Sequence, residues 1–380
     1  MPSHEWTFGI EEEYFLVHAR SGELVRRVPA KLLARAQARL GEVVVPELLQ
    51  CQLEAASPVF ASSAEARERL PALRRELAEV VGAAGYRLVA AGTHPLAGWH
   101  GQTVTAKPRY AELVEDFQII GRRNVLCGMH VHAAVPAGVD RVALMNRLMP
   151  WLPLLLALSA SSPFWGGLPT GLMSYRQAAY DEWPRTGIPD PFPDQRAYDA
   201  FVRRLVRQGA IPDASNLWWA IRPSLRLPTL ELRICDVCPR SADALALAAL
   251  YRCLVRLHVR RPALGAGFDP AGRRLIDENR WRAKRWGVAA SFLAAKGRGP
   301  VPARALFERL RRLIGPDIAA LDCAPEIEHC ATILAEGTAA DAQLAVYQRA
   351  RAQGAGRHGA VRRVVDWLAD ATVAGAQSRR

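Results

Sequence analysis

Residues 7–17 read TFGIEEEYFLV, an apolar run with three consecutive carboxylates at its centre. A buried carboxylate costs several kcal/mol unless a cation or hydrogen-bond donor meets it, so any fold that buries this segment must supply partners. The β-branched and aromatic flanks predict a strand, and alternation in a strand divides the three acids. Glu11 and Glu13 share one face with Gly9, while Glu12 joins Phe8, Ile10, Tyr14 and Leu16 on the other. Two carboxylates side by side repel. A divalent cation over both relieves that repulsion, and an arginine clamp is the alternative. The metal does not explain Glu12, which needs an arginine or a backbone amide on the apolar face.

The pattern recurs. CGMHVHAAV places His130 and His132 on one strand face and Met129, Val131 and Ala133 on the other. TLELRICD points Leu230, Leu232 and Ile234 one way and Glu231, Arg233 and Cys235 the other, where an in-strand ion pair competes with a site. VVVPELLQCQLEAASP, residues 43–58, reads as extended segments with Gln50, Gln52 and Glu54 at period two, and it adds Glu47 in an apolar context. Four strands that each set acids or histidines opposite an apolar face describe a polar funnel built on a sheet. Several carboxylates with one or two imidazoles suit Mg²⁺ or Mn²⁺. Zinc held by Cys235-x-x-Cys238 with His130 and His132 is the weaker alternative, because no second CxxC accompanies the first. No GxxxxGK[ST] occurs, so metals and arginines must hold any nucleotide phosphates.

Helices are expected over residues 62–85, capped at Ser62 or Ser63, and over 108–123, 140–161 and 195–208, with mostly helix from 241 onward. Short strands are expected at 86–92 and 125–135. This mixture lacks a regular strand–helix repeat and predicts an α+β fold, an antiparallel sheet with helices on one side. With no internal repeat and no linker, the 380 residues are expected to form a single domain with a helical C-terminal part from about 241 to 380. Half the residues are hydrophobic, which argues against disorder. Seven cysteines at scattered spacings are not a disulfide framework, and with no signal pattern at the N-terminus they predict a cytoplasmic protein. MPWLPLLLALSA, residues 149–160, is too short for a membrane span and is expected as a buried helix. The net charge of +13 is almost wholly arginine. It reflects either a guanidinium-coated surface or a polyanionic ligand. The Gly/Pro-rich stretch 162–194, carrying Tyr175, Arg176 and Arg185, is a long loop of the kind that serves function.

GIEEEYFLV, CGMHVHAAV, SYRQAAYDEWPRTGIP, RPSLRLPTLELRICD and ENRWRAKRWG, in that order, resemble the bacterial carboxylate–amine ligases described as glutamate–cysteine ligase type 2, a glutamine synthetase-like group. The resemblance implies a curved antiparallel sheet forming a funnel, with helices on its outer side. It also implies ATP and two or three Mg²⁺ or Mn²⁺ ions. By it, Glu11, Glu13, Glu54, His130 and Glu231 are metal ligands, and Glu47 is a further one whose spacing to Glu54 departs from the glutamine synthetase pattern. His132 would approach the ATP phosphates, and Arg233 would neutralise the γ-phosphoryl group. Arg222 and Arg226 would hold phosphate or a substrate carboxylate. Gln52 and Asp236 occupy motif positions that line the funnel in the larger group. Ring assembly does not carry over, and a smaller oligomer such as a homodimer is expected.

The implied reaction joins a carboxylate, that of the glutamate side chain, to an amine through an acyl phosphate. Arg176 and Arg185 are expected on a covering loop that contacts substrate. Arg282 and Arg285, on one face of the 277–287 helix, belong either to a nucleotide or substrate site or to a solvated basic helix. Two rival functions remain: a carboxylate or guanidino phosphotransferase using the same funnel, and a non-enzymatic basic RNA-binding protein. The ligase reading involves neither nucleic acid nor membrane.

Overall fold

The computed structural model describes residues 4–265, 270–294 and 299–374; Lys296 and the terminal residues 1–3 and 375–380 of the expected domain lie outside it. Seven strands form one antiparallel sheet: β1 (Phe8–His18), β2 (Val44–Pro46), β3 (Gln52–Ala56), β4 (Tyr86–Val89), β5 (Met129–Ala134), β6 (Ile221–Pro223) and β7 (Thr229–Leu232). Their order is β2-β3-β1-β5-β7-β6. β4 lies beside the end of β1 that β5 leaves free, since β1 pairs with β5 through residues 8–12 and with β4 through residues 15–18.

Register brings the charged positions together. Glu13 faces Glu54 across β1/β3, and Glu11 faces His130 across β1/β5. His132 faces Glu231 across β5/β7, and Glu231 faces Arg222 across β6/β7. Because side chains alternate, one register sets all of them on one face. The opposite face supplies Phe8, Ile10, Tyr14, Leu16, Val131, Leu230 and Leu232 to the core, each at most 4 % exposed. That core is one cluster shared with the helices Ser63–Gly82 and Ser241–Arg260 and with the C-terminal helices, as the α+β expectation requires.

Glu12 lies on this apolar face and is 1 % exposed. Its partner is Arg74 of the helix Ser63–Gly82. Arg74 Nε donates to Oε2 at 2.9 Å, Nη2 donates to Oε1, and the Tyr14 hydroxyl adds a bond to Oε2 at 2.5 Å. Two further Arg74 N–H groups donate to the carbonyls of Pro239 and Cys238. The pair is therefore bidentate and the guanidinium is held by four hydrogen bonds, as buried ions require. Serine capping starts that helix as expected, with Ser62 accepting from the Glu65 amide.

Several local expectations shift. The 108–123 helix is two pieces, Pro108–Phe117 and Ile119–Arg122, broken at Gln118, whose φ is 48°. The 140–161 helix is capped by Asp140 and divided by a 3₁₀ turn at Met149–Trp151, where Pro150 and Pro153 interrupt the hydrogen-bond ladder. Taken whole, Arg141–Ser159 is long and apolar enough to cross a membrane, but most of it is buried inside the fold. The 162–194 stretch holds a short hairpin at 164–169 and the helix Tyr175–Tyr180. Gln50 sits in a bend before β3, outside the expected alternation.

Candidate active site

The polar face of the sheet floors a cavity of about 600 Å³. Glu11, Glu13, Glu54, His130, His132, Arg222, Glu231 and Arg233 line it from the sheet or its immediate ends, and Glu47 joins them from the bend after β2. Arg176, Arg109 and Arg226 add positive charge. Leu48, Tyr110, Leu113, Trp183 and Trp218 form an aromatic wall. That wall is a hydrophobic cluster separate from the main core, held by a Trp183–Trp218 edge contact at 5.4 Å and by Phe117 against both rings.

Two triads of acid and imidazole groups lie on the floor, each with ligand atoms within 4.8 Å of one another: Glu13, Glu47 and Glu54; and Glu11, His132 and Glu231. The first is carboxylate against carboxylate. Burial, then the charge of Glu47, pushes Glu13 up to about 7. Burial, then Glu47, Glu11 and Glu13, holds Glu54 well above the usual carboxylate range. In the second triad, burial would raise Glu11 too, but hydrogen bonds and charge from His130 and His132 outweigh it and hold Glu11 low. Glu11 Oε2 is 3.2 Å from His130 Nδ1, and Oε1 is 3.3 Å from His132 Nε2. Burial lowers His130 to about 4, helped by the Arg233 charge. His132 is raised on balance, its burial outweighed by the Glu11 hydrogen bond and the Glu231 charge.

Glu231 is clamped. Arg222 Nε and Nη2 donate to its two oxygens at 2.8 and 3.2 Å, and Arg233 Nη1 donates to Oε1. These arginines offset the cost of burial and hold its carboxyl low. A carboxylate offers about four lone-pair sites, so three such bonds leave room for one further partner. The ion pair with Arg233 and a place in the Glu11–His132–Glu231 triad thus coexist in one residue.

These residues fit a hard divalent cation. The donors are carboxylate oxygens with an imidazole. His130 Nε2 is buried without a hydrogen-bond partner, 3.9 Å from Glu13 Oε1. Glu13 and Glu54 face each other with too little positive charge between them. The histidines divide differently from the sequence-based expectation: His132 joins Glu11 and Glu231, while His130 lies between the two triads. Zinc is not supported, because Cys235 and Cys238 are buried away from the cavity, beside the Leu155 and Asp236 carbonyls. β7 ends at Leu232, so the alternation that would have carried Cys235 onto the polar face stops three residues short.

Other expected residues are placed as follows. Arg176 lines the cavity floor and Arg226 its exposed rim, on the turn between β6 and β7. Arg185 stands behind the aromatic wall, over the rings of Phe117 and Trp218, with Nε donating to the Asn216 carbonyl. Arg282 and Arg285 lie outside the cavity lining. Arg282 bonds Glu278 and the Ser291 carbonyl, and Arg285 stacks on Trp286. Their helix, Pro270–Trp286, docks instead through Arg280 and Lys284, which share Asp181. Gln52 and Asp236 are buried and lie outside the cavity lining. Arg109, Tyr110, Trp183 and Trp218 were not anticipated from sequence. The one available cue was the density of tryptophan and tyrosine in the loops on either side.

One face of the antiparallel sheet thus sets two triads of acid and imidazole groups beside several guanidinium groups in a single cavity. Comparison with known proteins gives the family. The family model for glutamate–cysteine ligase family 2 matches residues 7–366, and the chain belongs to that family. A relative from Bradyrhizobium sp. assigned the name glutamate–cysteine ligase 2 is 45 % identical over 97 % of this chain and 88 % of its own. One from Ectopseudomonas mendocina with the same name is 46 % identical over 95 % and 96 %. Among solved structures, a glutamate–cysteine ligase from Francisella tularensis in complex with AMP superposes with a TM-score of 0.71 at 12 % identity, covering 98 % of this chain and 89 % of that one. A bifunctional glutathione synthetase from Pasteurella multocida gives 0.67 at 14 %, over 97 % of this chain and 53 % of that one. At such identity the structures speak for the fold alone, and they agree with the glutamine synthetase-like class.

Proposed function

We propose that the protein is an ATP-dependent carboxylate–amine ligase that joins the side-chain carboxylate of glutamate, or of a related acid, to an amine. The observation that carries this reading is the pairing of two acid triads with guanidinium groups in one cavity, on a chain of the glutamate–cysteine ligase family. Glu13, Glu47 and Glu54 would hold one Mg²⁺ or Mn²⁺ ion, and Glu11, His132 and Glu231 a second, with His130 available to either. Bound there, the cations supply screening between triphosphate and carboxylate and stabilise charge on the transferred phosphoryl oxygens.

The chain's own groups do the rest. Arg233, partly buried, fixed to Glu231 and near the Tyr180 hydroxyl, would offer its guanidinium to the charge that develops in phosphoryl transfer. Arg222 keeps Glu231 aligned while bonding the Ser215 and Leu217 carbonyls. Arg226 and Arg109 at the rim meet the polyphosphate or a substrate carboxylate. The aromatic wall excludes water from an acyl phosphate, which an amine then attacks to release phosphate.

The test is ADP release measured with each component omitted in turn. The ligase requires Mg²⁺ or Mn²⁺, a carboxylate and an amine together, and hydroxylamine should divert the reaction to a hydroxamate. A stable phosphorylated product with no hydroxamate would instead mark a guanidino phosphotransferase, and ADP released at the full rate from ATP and the carboxylate with no amine present would mark a carboxylate phosphotransferase. Metal-independent RNA binding that weakens steeply with salt, with no ADP formed, would overturn the enzymatic reading.

A further inference from the structure

Behind the cavity floor lies a polar network that the proposed chemistry does not use. Asp236, fully buried, accepts from the Ser161 amide at 3.0 Å, from the Ser162 hydroxyl at 2.7 Å and from the Ser174 hydroxyl at 2.9 Å. Ser162 Oγ in turn accepts from the Arg176 amide at 3.0 Å, and Asp236 Oδ1 stands 4.0 Å from Arg176 Nη1. Arg176 Nη1 donates to the Cys235 carbonyl at 3.0 Å, and its guanidinium lies 5.4 Å from the Tyr180 ring centroid. Its Nε is buried with no partner, although the residue lines the cavity and is 3 % exposed.

Two glycines make room for this arrangement. A Cβ on Gly128 would overlap Arg176 Nη2 and lie 2.8 Å from Cζ; one on Gly92 would lie 2.6 Å from the Asp236 carboxyl carbon. Neither glycine has a positive φ, so the close approach accounts for both. Gly128 also connects the network to the first triad, since its amide donates to Glu13 Oε2 at 2.6 Å.

We infer that Arg176, seated in the Gly128 notch, is the receptor for an oxyanion of one substrate, and that Asp236 is the positioning residue that holds it there. The inference rests on the ligase reading for what that oxyanion is: a carboxylate of the acid substrate or a phosphate of ATP. A guanidinium is planar and donates in a fixed fork, so its orientation decides whether it meets an oxyanion with one bond or two. Asp236 supplies a counter-charge within reach of Nη1 and, through Ser162 and Ser174, fixes the backbone at both ends of the Ser174–Arg176 segment. The Gly128 notch then admits the guanidinium in one place.

Three variants test this: Arg176→Lys, Asp236→Asn and Gly128→Ala. Gly128→Ala is the informative one, because it keeps the amide bonded to Glu13 and clashes only with the far end of a flexible side chain. It needs no folding defect to displace Arg176. Each variant should raise the KM of one and the same anionic substrate about tenfold, the size expected for losing one charge-assisted hydrogen bond. Adding Gly128→Ala to Arg176→Lys should cost little more than Arg176→Lys alone, since both remove one interaction. A rise confined to the carboxylate assigns the oxyanion to it, and a rise confined to ATP assigns it to a phosphate.

Wild-type KM values in Gly128→Ala and Asp236→Asn, beside an impaired Arg176→Lys, would overturn the positioning role. So would a fall in kcat or melting temperature with both KM values unchanged. The same variants are also compared by the melting shift that glutamate, and separately ATP with Mg²⁺, confers on each. If wild type releases no ADP with any substrate pair, the ligase reading fails, yet this comparison still decides the network. A ligand shift present in wild type and reduced in all three variants supports it; no shift in wild type by either ligand overturns it.

Discussion

The two faces of β1 carry the same residue type at neighbouring positions and treat it in opposite ways. Glu12, on the core face, is enclosed by Arg74 and Tyr14 with its charge matched. Glu13, one residue later on the cavity face, meets Glu54 and Glu47 instead. The Glu12 side chain is 1 % exposed and that of Glu13, at the cavity floor, 14 %. What separates them is the sign of the company each keeps. A buried carboxylate with a bidentate arginine is a finished structural element. Carboxylates that face one another are a local instability, which the proposed cations would relieve.

Removing a partner on the core face should give the largest effect. Arg74→Met leaves Glu12 buried and unpaired, and the expected cost is about 3–5 kcal/mol, a large share of the stability of a typical domain. Denaturant unfolding measures it, and little or no folded protein is the extreme outcome. If Arg74→Met were as stable as wild type, Glu12 would have another partner and the contrast between the faces would collapse.

On the cavity face the same kind of change should cost activity and spare the fold. Glu13→Gln and Glu54→Gln each remove one charge from a repelling group, so metal-free protein should melt no lower than wild type. ADP release should fall at least about a hundredfold, the scale of removing one electrostatic stabiliser. Mn²⁺ or Mg²⁺ should raise the melting temperature of wild type, but less that of either variant. A variant that melts well below wild type without metal would show that these acids support the fold after all.

A pH series sharpens the same point. Glu13 is raised from 4.5 to about 7, so below pH 4.5 it is protonated in both folded and unfolded chains and contributes no difference. Between 4.5 and about 7 the unfolded chain gives up that proton while the folded one keeps it, so metal-free stability is lost as pH rises and then levels off. Glutamine cannot titrate. The melting temperature of Glu13→Gln relative to wild type should therefore climb from pH 4.5 to 7 and then stay flat, and a difference independent of pH would reject the raised carboxyl.

How much of this was legible in the sequence follows from the same period-two rule. Alternation alone separated Glu12 from Glu11 and Glu13, put His130 beside His132, and faced Glu231 away from Leu230. Strand residues carry their orientation in their numbering. Glu47 could not be oriented this way, because it sits in a bend. The tryptophans at 183 and 218 meet across 35 residues of chain by contacts that no local pattern encodes. Arg176 was visible as a loop arginine, but its seat is a missing side chain at Gly128, just before β5 and far from it in sequence. The break at Gln118 falls where no glycine or proline announces it. Alternation was also extended too far at Cys235, where the strand had already ended.

The smallest effect is expected on the helix Pro270–Trp286, where sequence left two readings of the basic face open. A helix periodicity says which residues share a face but not what that face meets. Here Arg280 and Lys284 take the inward positions and bind Asp181, at the C-terminal end of the helix that carries Arg176. Arg282 and Arg285 point elsewhere, Arg282 to Glu278 and the Ser291 carbonyl and Arg285 over the Trp286 ring. Arg285→Ala removes an exposed charge and should change stability by less than about 0.5 kcal/mol and leave both KM values as in wild type. Asp181→Asn, which loosens both docking contacts, should be the more damaging of the two. If Arg285→Ala instead raised the KM for ATP, the nucleotide would extend beyond the cavity to this helix, and the division between satisfied and waiting charges would no longer mark where the site ends.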